Sequence, residues 1–252
     1  MAITIILDAG HGGYDNGASY QGRKEKDDTL RVTLAVGDEL EREGYNVLYT
    51  RTEDRYDSPI EKAQIANRFG ADYFISFHRN SSVTPNTYQG TQALVYEADS
   101  EAARLGKSIN DELVEFGFKD LDVVERPGLV VLRRTEMPAV LMELGFINNT
   151  GDNQLFDQQF DEMVDAIVEG IRRALPLEGQ PRRYGVQVGL YQYESNADYM
   201  EEQLEDQGYS VEILWQDPYY AVVVGEVATL EEAAALQARL RQDGYDTLVV
   251  NL

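Results

Sequence analysis

Only two histidines occur in the 252-residue chain, His11 and His78, and each follows an apolar run that reads as a buried strand. The first run is Ile5-Ile6-Leu7-Asp8-Ala9-Gly10-His11; the second is Tyr73-Phe74-Ile75-Ser76-Phe77-His78. Both imidazoles are therefore expected where a strand ends, the usual place for ligands and catalytic groups in an open α/β sheet. One histidine in such a place is most often an ordinary loop residue; two of two in matching places argue for a shared task. Gly10, Gly12 and Gly13 around His11 let the backbone turn sharply and approach a ligand closely. Gly10-His11-Gly12-Gly13 matches neither phosphate-cradling glycine pattern, so a nucleotide loop is a weak reading. Two neutral imidazoles and one carboxylate with an open position would suit a catalytic zinc ion. The carboxylate must be chosen among 45 acids, and spacing alone does not select it.

The elements that must position these groups alternate between strand and helix up to about residue 175. Ile3 to Leu7, Asn46 to Thr50, Asp72 to Phe77, the patch around Gly90 to Tyr96, and Ala139 to Leu144 read as strands. Asp28 to Arg42, Ser58 to Phe69, Ser100 to Phe116 and Asp157 to Leu175 carry helical spacing, with Ser58 as N-cap and Pro59 in the first turn of the second helix. Such alternation predicts an α/β fold: a mixed, largely parallel sheet with helices on both faces. Residues 176–183, with two prolines and a glycine, read as a linker between a domain over 1–175 and another over 184–252. In that second segment Gly189, Gly208 and Tyr209 recur at Gly225, Gly244 and Tyr245. Each copy reads as strand, helix, strand, and a small α+β domain of β-α-β-β-α-β order is the natural closure.

Composition removes several classes. A formal charge of −23 disfavours phosphate backbones and anionic membrane surfaces. No apolar stretch is long enough to insert in a membrane. With no cysteine, a disulfide framework, a thiolate metal site and a cysteine nucleophile are all excluded. No basic segment precedes the first strand, so no signal peptide is expected in this chain.

Five segments then stand together in order: Leu7-Asp8-Ala9-Gly10-His11-Gly12-Gly13, Gly22-Arg23-Lys24-Glu25-Lys26-Asp27, Thr50-Arg51, Ala71 to Asn80, and Pro138 to Asn149. Over roughly residues 3 to 175 the chain resembles the zinc-dependent N-acetylmuramoyl-L-alanine amidases, bacterial cell-wall hydrolases. The segment from Tyr184 is similar to the sporulation-related repeat domain, which binds peptidoglycan. The first resemblance implies Zn²⁺ held by His11, Glu25 and His78, with Glu143 as catalytic glutamate. Local context agrees: Glu25 sits in a polar stretch before a helix, and Glu143 follows Val140-Leu141-Met142, where desolvation should raise its pKa toward neutrality. Asp8 is expected either to orient His11 or to cap a strand end. Asn80 is a candidate substrate contact or a turn residue; Arg133 either meets stem-peptide carboxylates or covers the sheet edge. Arg79 departs from the small or apolar residue common in the family after the second histidine, and is expected to point away from the metal.

The activity implied is hydrolysis of the amide between N-acetylmuramic acid and L-alanine, on peptidoglycan, by a monomer acting at the cell wall or released by lysis. The competing readings are a non-catalytic peptidoglycan-binding or regulatory protein and a zinc-dependent peptidoglycan deacetylase. Intact ligand and catalytic positions count against the first, and the contexts of Glu25 and Glu143 against the second. The tail resemblance leans toward an autolysin of a sporulating bacterium over a phage lysin. From Tyr184 onward, 13 acids face two arginines, so nucleic acid is not the expected partner of the tail; half of the chain's 16 tyrosines lie there. Tyr191, Tyr193 and Tyr220 are the candidates for stacking on glycan, and Tyr209 and Tyr245 those for the core.

Overall fold

A computed structural model describes residues 3–177, 184–216, 218–227 and 229–252; most of the expected linker, residues 178–183, lies outside them. The chain divides into two compact units, Met1–Leu177 and Glu178–Leu252.

In the larger unit the elements run β1 (Thr4–Ala9), β2 (Ser19–Tyr20), β3 (Arg23–Lys24), α1 (Glu25–Arg42), β4 (Asn46–Tyr49), α2 (Pro59–Phe69) and β5 (Tyr73–Asn80). They continue with β6 (Thr91–Val95), α3 (Glu101–Phe116), β7 (Asp120–Glu125), α4 (Val130–Arg134), β8 (Ala139–Phe146), α5 (Thr150–Gln158) and α6 (Phe160–Ala174). Six strands form one sheet in the order β4-β1-β5-β8-β6-β7. The first four run parallel, whereas β6 is antiparallel to β8 and β7 follows β6. Strand alternation sorts the side chains into two layers. Ile5, Leu7, Ile75, Phe77, Val140 and Met142 meet α1, α3 and α6 through Val36, Leu40, Ile109, Leu113, Ile167 and Ile171. Ile6, Phe74, Leu94 and Leu141 meet α2 and α4 through Ala66, Val131 and Leu132. Helices on both faces of a mixed sheet are the expected architecture.

Three local differences from the sequence reading have physical causes. Glu25 to Asp27 belong to α1, which starts earlier than the apolar periodicity suggests. The expected helix over 157–175 begins only at Phe160: its first residues end a separate helix that the Asn149 side chain caps at Thr150, and Gln159, at φ −129° and ψ 44°, breaks the path before α6. Neither β7 nor the single-turn α4 carries a strong period. β7 is an edge strand with Asp120, Asp122 and Glu125 exposed, kinked where Asp122 takes φ 67°.

Two buried charges tie the carboxyl end of β1 to its neighbours. Asp8 is inaccessible and pairs with Lys62 of α2 (2.8 Å), while also accepting from Thr50 (2.6 Å) and Ser76 (2.6 Å). Burial works to raise the Asp8 pKa, but the Lys62 charge and these bonds overcome it and hold the carboxyl below its usual value. Arg51, only 2% exposed, donates to the carbonyls of Ala9, Gly10, Lys26 and Glu53 and to the Thr29 hydroxyl.

In the smaller unit, β9 (Tyr184–Tyr191), α7 (Glu194–Asp206), β10 (Val211–Gln216), β11 (Tyr219–Val227), α8 (Leu230–Gln242) and β12 (Leu248–Asn251) follow the expected β-α-β-β-α-β order. The strands form an antiparallel sheet, β10-β11-β9-β12. The internal repeat is visible in exchanged contacts: Tyr209 donates to Asp243, and at the equivalent positions Gln207 donates to Tyr245. Tyr209 is buried and Tyr245 packs against the core, as expected. Tyr193 is 66% exposed, but Tyr191 and Tyr220 are not free faces. They pair across β9 and β11, and Tyr220 lies two residues before core Val222, so strand alternation turns it inward. Among the described residues no helix is long and apolar enough to cross a membrane.

Replacing Lys62 with Met strands the Asp8 carboxylate without a countercharge, and the expected loss is about 3–5 kcal/mol. Circular dichroism during urea unfolding of the full chain reads it. The only tryptophan, Trp215, belongs to the smaller unit, and its fluorescence transition should stay in place. Adding Asp8→Asn to Lys62→Met should recover part of the loss.

Candidate metal centre

Glu25 is the first residue of α1 and 4% exposed, not a solvated loop charge. The short β2–β3 hairpin delivers it there, and its Oε2 accepts the Ala18 N–H (2.8 Å). Its Oε1 is left to face both histidines, 3.1 Å from His11 Nε2 and 2.9 Å from His78 Nδ1, and also accepts the Arg79 N–H (3.0 Å). One donor atom from each of His11, Glu25 and His78 lies within 4.8 Å of the others. The two imidazole rings stand edge to face, 4.9 Å apart.

Close packing holds this geometry. His78 sits inside β5, which runs on to Asn80, and His11 lies two residues beyond β1 with φ 61°. A Cβ on Gly10 would lie 2.5 Å from the His78 ring; one on Gly17, at φ 62°, would lie 2.5 Å from both His11 and Glu25. Neither position admits a side chain without displacing a metal-facing group. At Gly12 and Gly13 the missing Cβ atoms make room for the backbone of Arg55 and Tyr56.

Asp8, buried against Lys62, does not touch His11. Asp15 takes that role, with Oδ2 2.8 Å from His11 Nδ1. A neutral ring donating Nδ1–H to Asp15 presents the lone pair of Nε2 to the centre, the usual outer-shell arrangement of a metal-binding histidine. Nothing in the sequence separates Asp15 from the other acids; only its place four residues after His11 in a glycine-rich turn hinted at it.

Burial works to lower the His11 pKa, but Glu25 and then Asp15 raise it to about 9. Burial works to raise that of Glu25, yet the two histidines hold it far below the carboxylate range. Glu143 behaves differently. It lies in β8 opposite His78 on neighbouring parallel strands, so both side chains leave the same sheet face. Burial lifts its pKa to about 7, with His78 opposing and the Glu25 charge assisting. Its Oε2 is buried and has no hydrogen-bond partner among the described residues.

The remaining sequence candidates fall elsewhere. Arg79 alternates to the opposite face from His78, as expected, but within the core: it pairs with Asp28 (2.7 Å), donates to Asn153 (2.7 Å) and lies 4.3 Å over the Phe156 ring. Arg23 donates to the same Asp28 and grips Asp157 with two bonds. The guanidinium therefore pins β5 to α1 and α5. Asn80 makes a turn contact, its Oδ1 accepting from Ser81 N–H. Arg133 is exposed at the end of α4 and lines a separate cavity of about 380 Å³ with Tyr96, Glu97 and Glu101. Beside the histidines lies a cavity of about 260 Å³, lined by Tyr56, Pro59, Leu129, Val131 and Leu141 among others.

Comparison with known proteins agrees with this architecture. Residues 5–173 match the N-acetylmuramoyl-L-alanine amidase family, and residues 180–251 match the SPOR domain. The chain is 31% identical over 224 residues to the N-acetylmuramoyl-L-alanine amidase CwlM of Bacillus licheniformis, covering 85% of this chain and 86% of that protein. It is 31% identical over 226 residues to the sporulation-specific N-acetylmuramoyl-L-alanine amidase of Bacillus subtilis, with the same coverage. Among solved structures, an N-acetylmuramoyl-L-alanine amidase from Clostridium difficile 630 superposes with a TM-score of 0.66 at 30% identity, covering 71% of this chain and 99% of that one. A sheet that brings two histidines and a buried glutamate together, and relatives matched along most of their length, lead to one assignment: the chain belongs to the N-acetylmuramoyl-L-alanine amidase family.

Proposed function

We propose that the chain is a zinc-dependent cell-wall hydrolase that cleaves the amide between N-acetylmuramic acid and L-alanine, with His11, Glu25 and His78 as ligands and Glu143 as proton carrier. The observation that carries this reading is the unpartnered, buried Oε2 of Glu143 on the strand beside His78. A structural acid in such a place would be paired; a proton carrier must keep one oxygen free. The donor set fits zinc: two imidazole nitrogens and one carboxylate oxygen converge, the three protein ligands a catalytic zinc site would use. When bound, the ion supplies Lewis acidity to the amide carbonyl and acidity to water.

The protein's own groups do the rest. Asp15 fixes the ring of His11, and Gly10 and Gly17 keep the space between the ligands clear. Glu143 Oε2 takes a proton from the attacking water. As the carbon–nitrogen bond breaks, Glu143 passes that proton to the departing amine of L-alanine, leaving a muramoyl carboxylic acid whose remaining proton is lost to water. A carboxyl near neutrality can do both. Arg51 and Lys62 hold the His11 loop in place through the carbonyls of Ala9, Gly10 and His11. The smaller unit serves as the anchor: its acidic surface disfavours nucleic acid, and Tyr193 offers an exposed ring to sugar. The protein acts as a monomer on the cell wall.

Chelation should abolish release of stem peptide from soluble muropeptides, and Zn²⁺ should restore it. His11→Ala, Glu25→Ala and His78→Ala should each lose bound zinc. Glu143→Gln should keep the metal and the fold while kcat falls by about 10²-fold or more. A Glu143→Gln variant with normal turnover and full zinc would remove the assigned role, and acetate as the released product would point to deacetylation.

Activity should also fall with acid as Glu143 is protonated and can no longer accept a proton. A bound cation draws the carboxyl below the value of about 7 that burial gives it, so the acid limb of kcat/KM is expected below pH 7.

Removing residues 184–252 should lower the rate on intact sacculi and leave soluble muropeptides unaffected, because tethering raises the enzyme's local concentration on an insoluble polymer. Equal rates on sacculi with and without the tail would exclude a targeting role.

A further inference from the structure

An aromatic pair on the rim of the metal centre has no part in the chemistry described so far. Tyr14, three residues after His11, is 79% exposed, and its ring lies 4.3 Å from that of Tyr56 at a 34° tilt. We propose that Tyr14 and Tyr56 form a stacking platform for a pyranose ring of the glycan strand; this rests on the muramoyl-amide reading of the site.

The platform is built, not incidental. Gly12 and Asp15 exchange two backbone bonds, each 3.0 Å, which closes the turn that carries Tyr14. Lys26 ties this turn to the segment bearing Tyr56 through the Gly13 carbonyl (2.7 Å) and Asp54 (2.6 Å), and Asp54 accepts the Gly13 N–H (2.8 Å). The two segments touch backbone to backbone, since a Cβ on Gly12 would lie 2.0 Å from the Arg55 carbonyl oxygen. Two rings held this way lose little freedom when a ligand arrives. An exposed, fixed aromatic face beside a cleft is the kind of surface that the apolar C–H face of a sugar covers.

Chain geometry and charge both favour a sugar at this end of the cleft. In a muramoyl amide, one ether oxygen and one carbon separate the ring from the scissile carbonyl. A ring must therefore come to rest beside His11, on the rim where the aromatic pair stands. Asp15, Asp54, Asp57 and Glu61 surround the pair against Lys26 and Arg55, and this acidic excess disfavours stem-peptide carboxylates while leaving a neutral sugar unaffected. The same cavity also has an aliphatic lining of Leu129, Val131 and Leu141, close in sequence to Arg126, which suits the peptide.

The test uses the full chain with ¹³C-labelled tyrosine rings in a Glu143→Gln background, titrated with a soluble disaccharide-peptide. Signals assigned to Tyr14 and Tyr56 by their loss in Tyr14→Leu and Tyr56→Leu are expected to shift, and the sugar ring protons that cover them to move upfield. In the chain with Glu143 intact, Tyr14→Leu should raise KM by about 5–10-fold with little change in kcat, and Tyr14→Phe should restore it. Hydrolysis with unmoved Tyr14 signals and an unchanged KM would overturn the platform and leave the reaction standing. Movement of the same signals by a sugar-free stem peptide alone would also overturn it, assigning the pair to peptide. Sugar-dependent movement in a chain that hydrolyses no muramoyl amide would support the platform and refute the reaction.

Discussion

The site depends on one buried cation. The Arg51 guanidinium is surrounded by oxygen: carbonyls from the end of β1, from the first turn of α1 and from the segment after β4, together with the Thr29 hydroxyl. A guanidinium presents five donors in a rigid plane, and a buried one is tolerated only when those donors are met. The five acceptors belong to three different pieces of the centre. The strand end precedes His11, the helix start carries Glu25, and the third segment leads to Tyr56. Removing the cation would leave several carbonyls facing one another without a donor. The centre therefore takes its shape from backbone bonds converging on a residue that is not one of the three groups able to hold a metal.

The sheet separates two jobs by strand alternation. On one face His78 and Glu143 leave adjacent strands toward the centre; on the other, Arg79 reaches back through Asp28 and Asn153 to hold α1 and α5. The Arg79 amide still donates to Glu25, so the same residue contributes its backbone to the centre and its side chain to the scaffold. The cation that departs from the family's common pattern is thus absorbed by the core.

Much of this was legible in the residues. Alternation of strand and helix gave the layers, the apolar runs located both histidines, and the 36-residue repeat gave the order of the smaller unit. Motif order singled out Glu25 and Glu143 where spacing could not. What stayed hidden depends on contacts distant in sequence. Asp8 could be seen to lie near His11 but not to face Lys62, which is brought to it by α2. Asp15 became identifiable only once the glycine turn had a shape. Tyr191 and Tyr220 looked available because exposure depends on which face of a strand the helices cover, and a one-residue change of register reverses that answer. The helix that starts at Thr150 depends on an Asn149 side-chain cap that a helical period does not record.

The acidic edge of the larger sheet has a consequence for life on a surface. An enzyme gathered onto an insoluble polymer meets copies of itself far more often than it does in dilute solution. An unpaired strand edge invites those copies to zip together by backbone bonds. Along β7, Asp120, Asp122 and Glu125 face outward and Asp122 kinks the strand, so a second copy would bring like charges onto a misaligned ladder. Close neighbours on a surface are thereby kept from joining edge to edge.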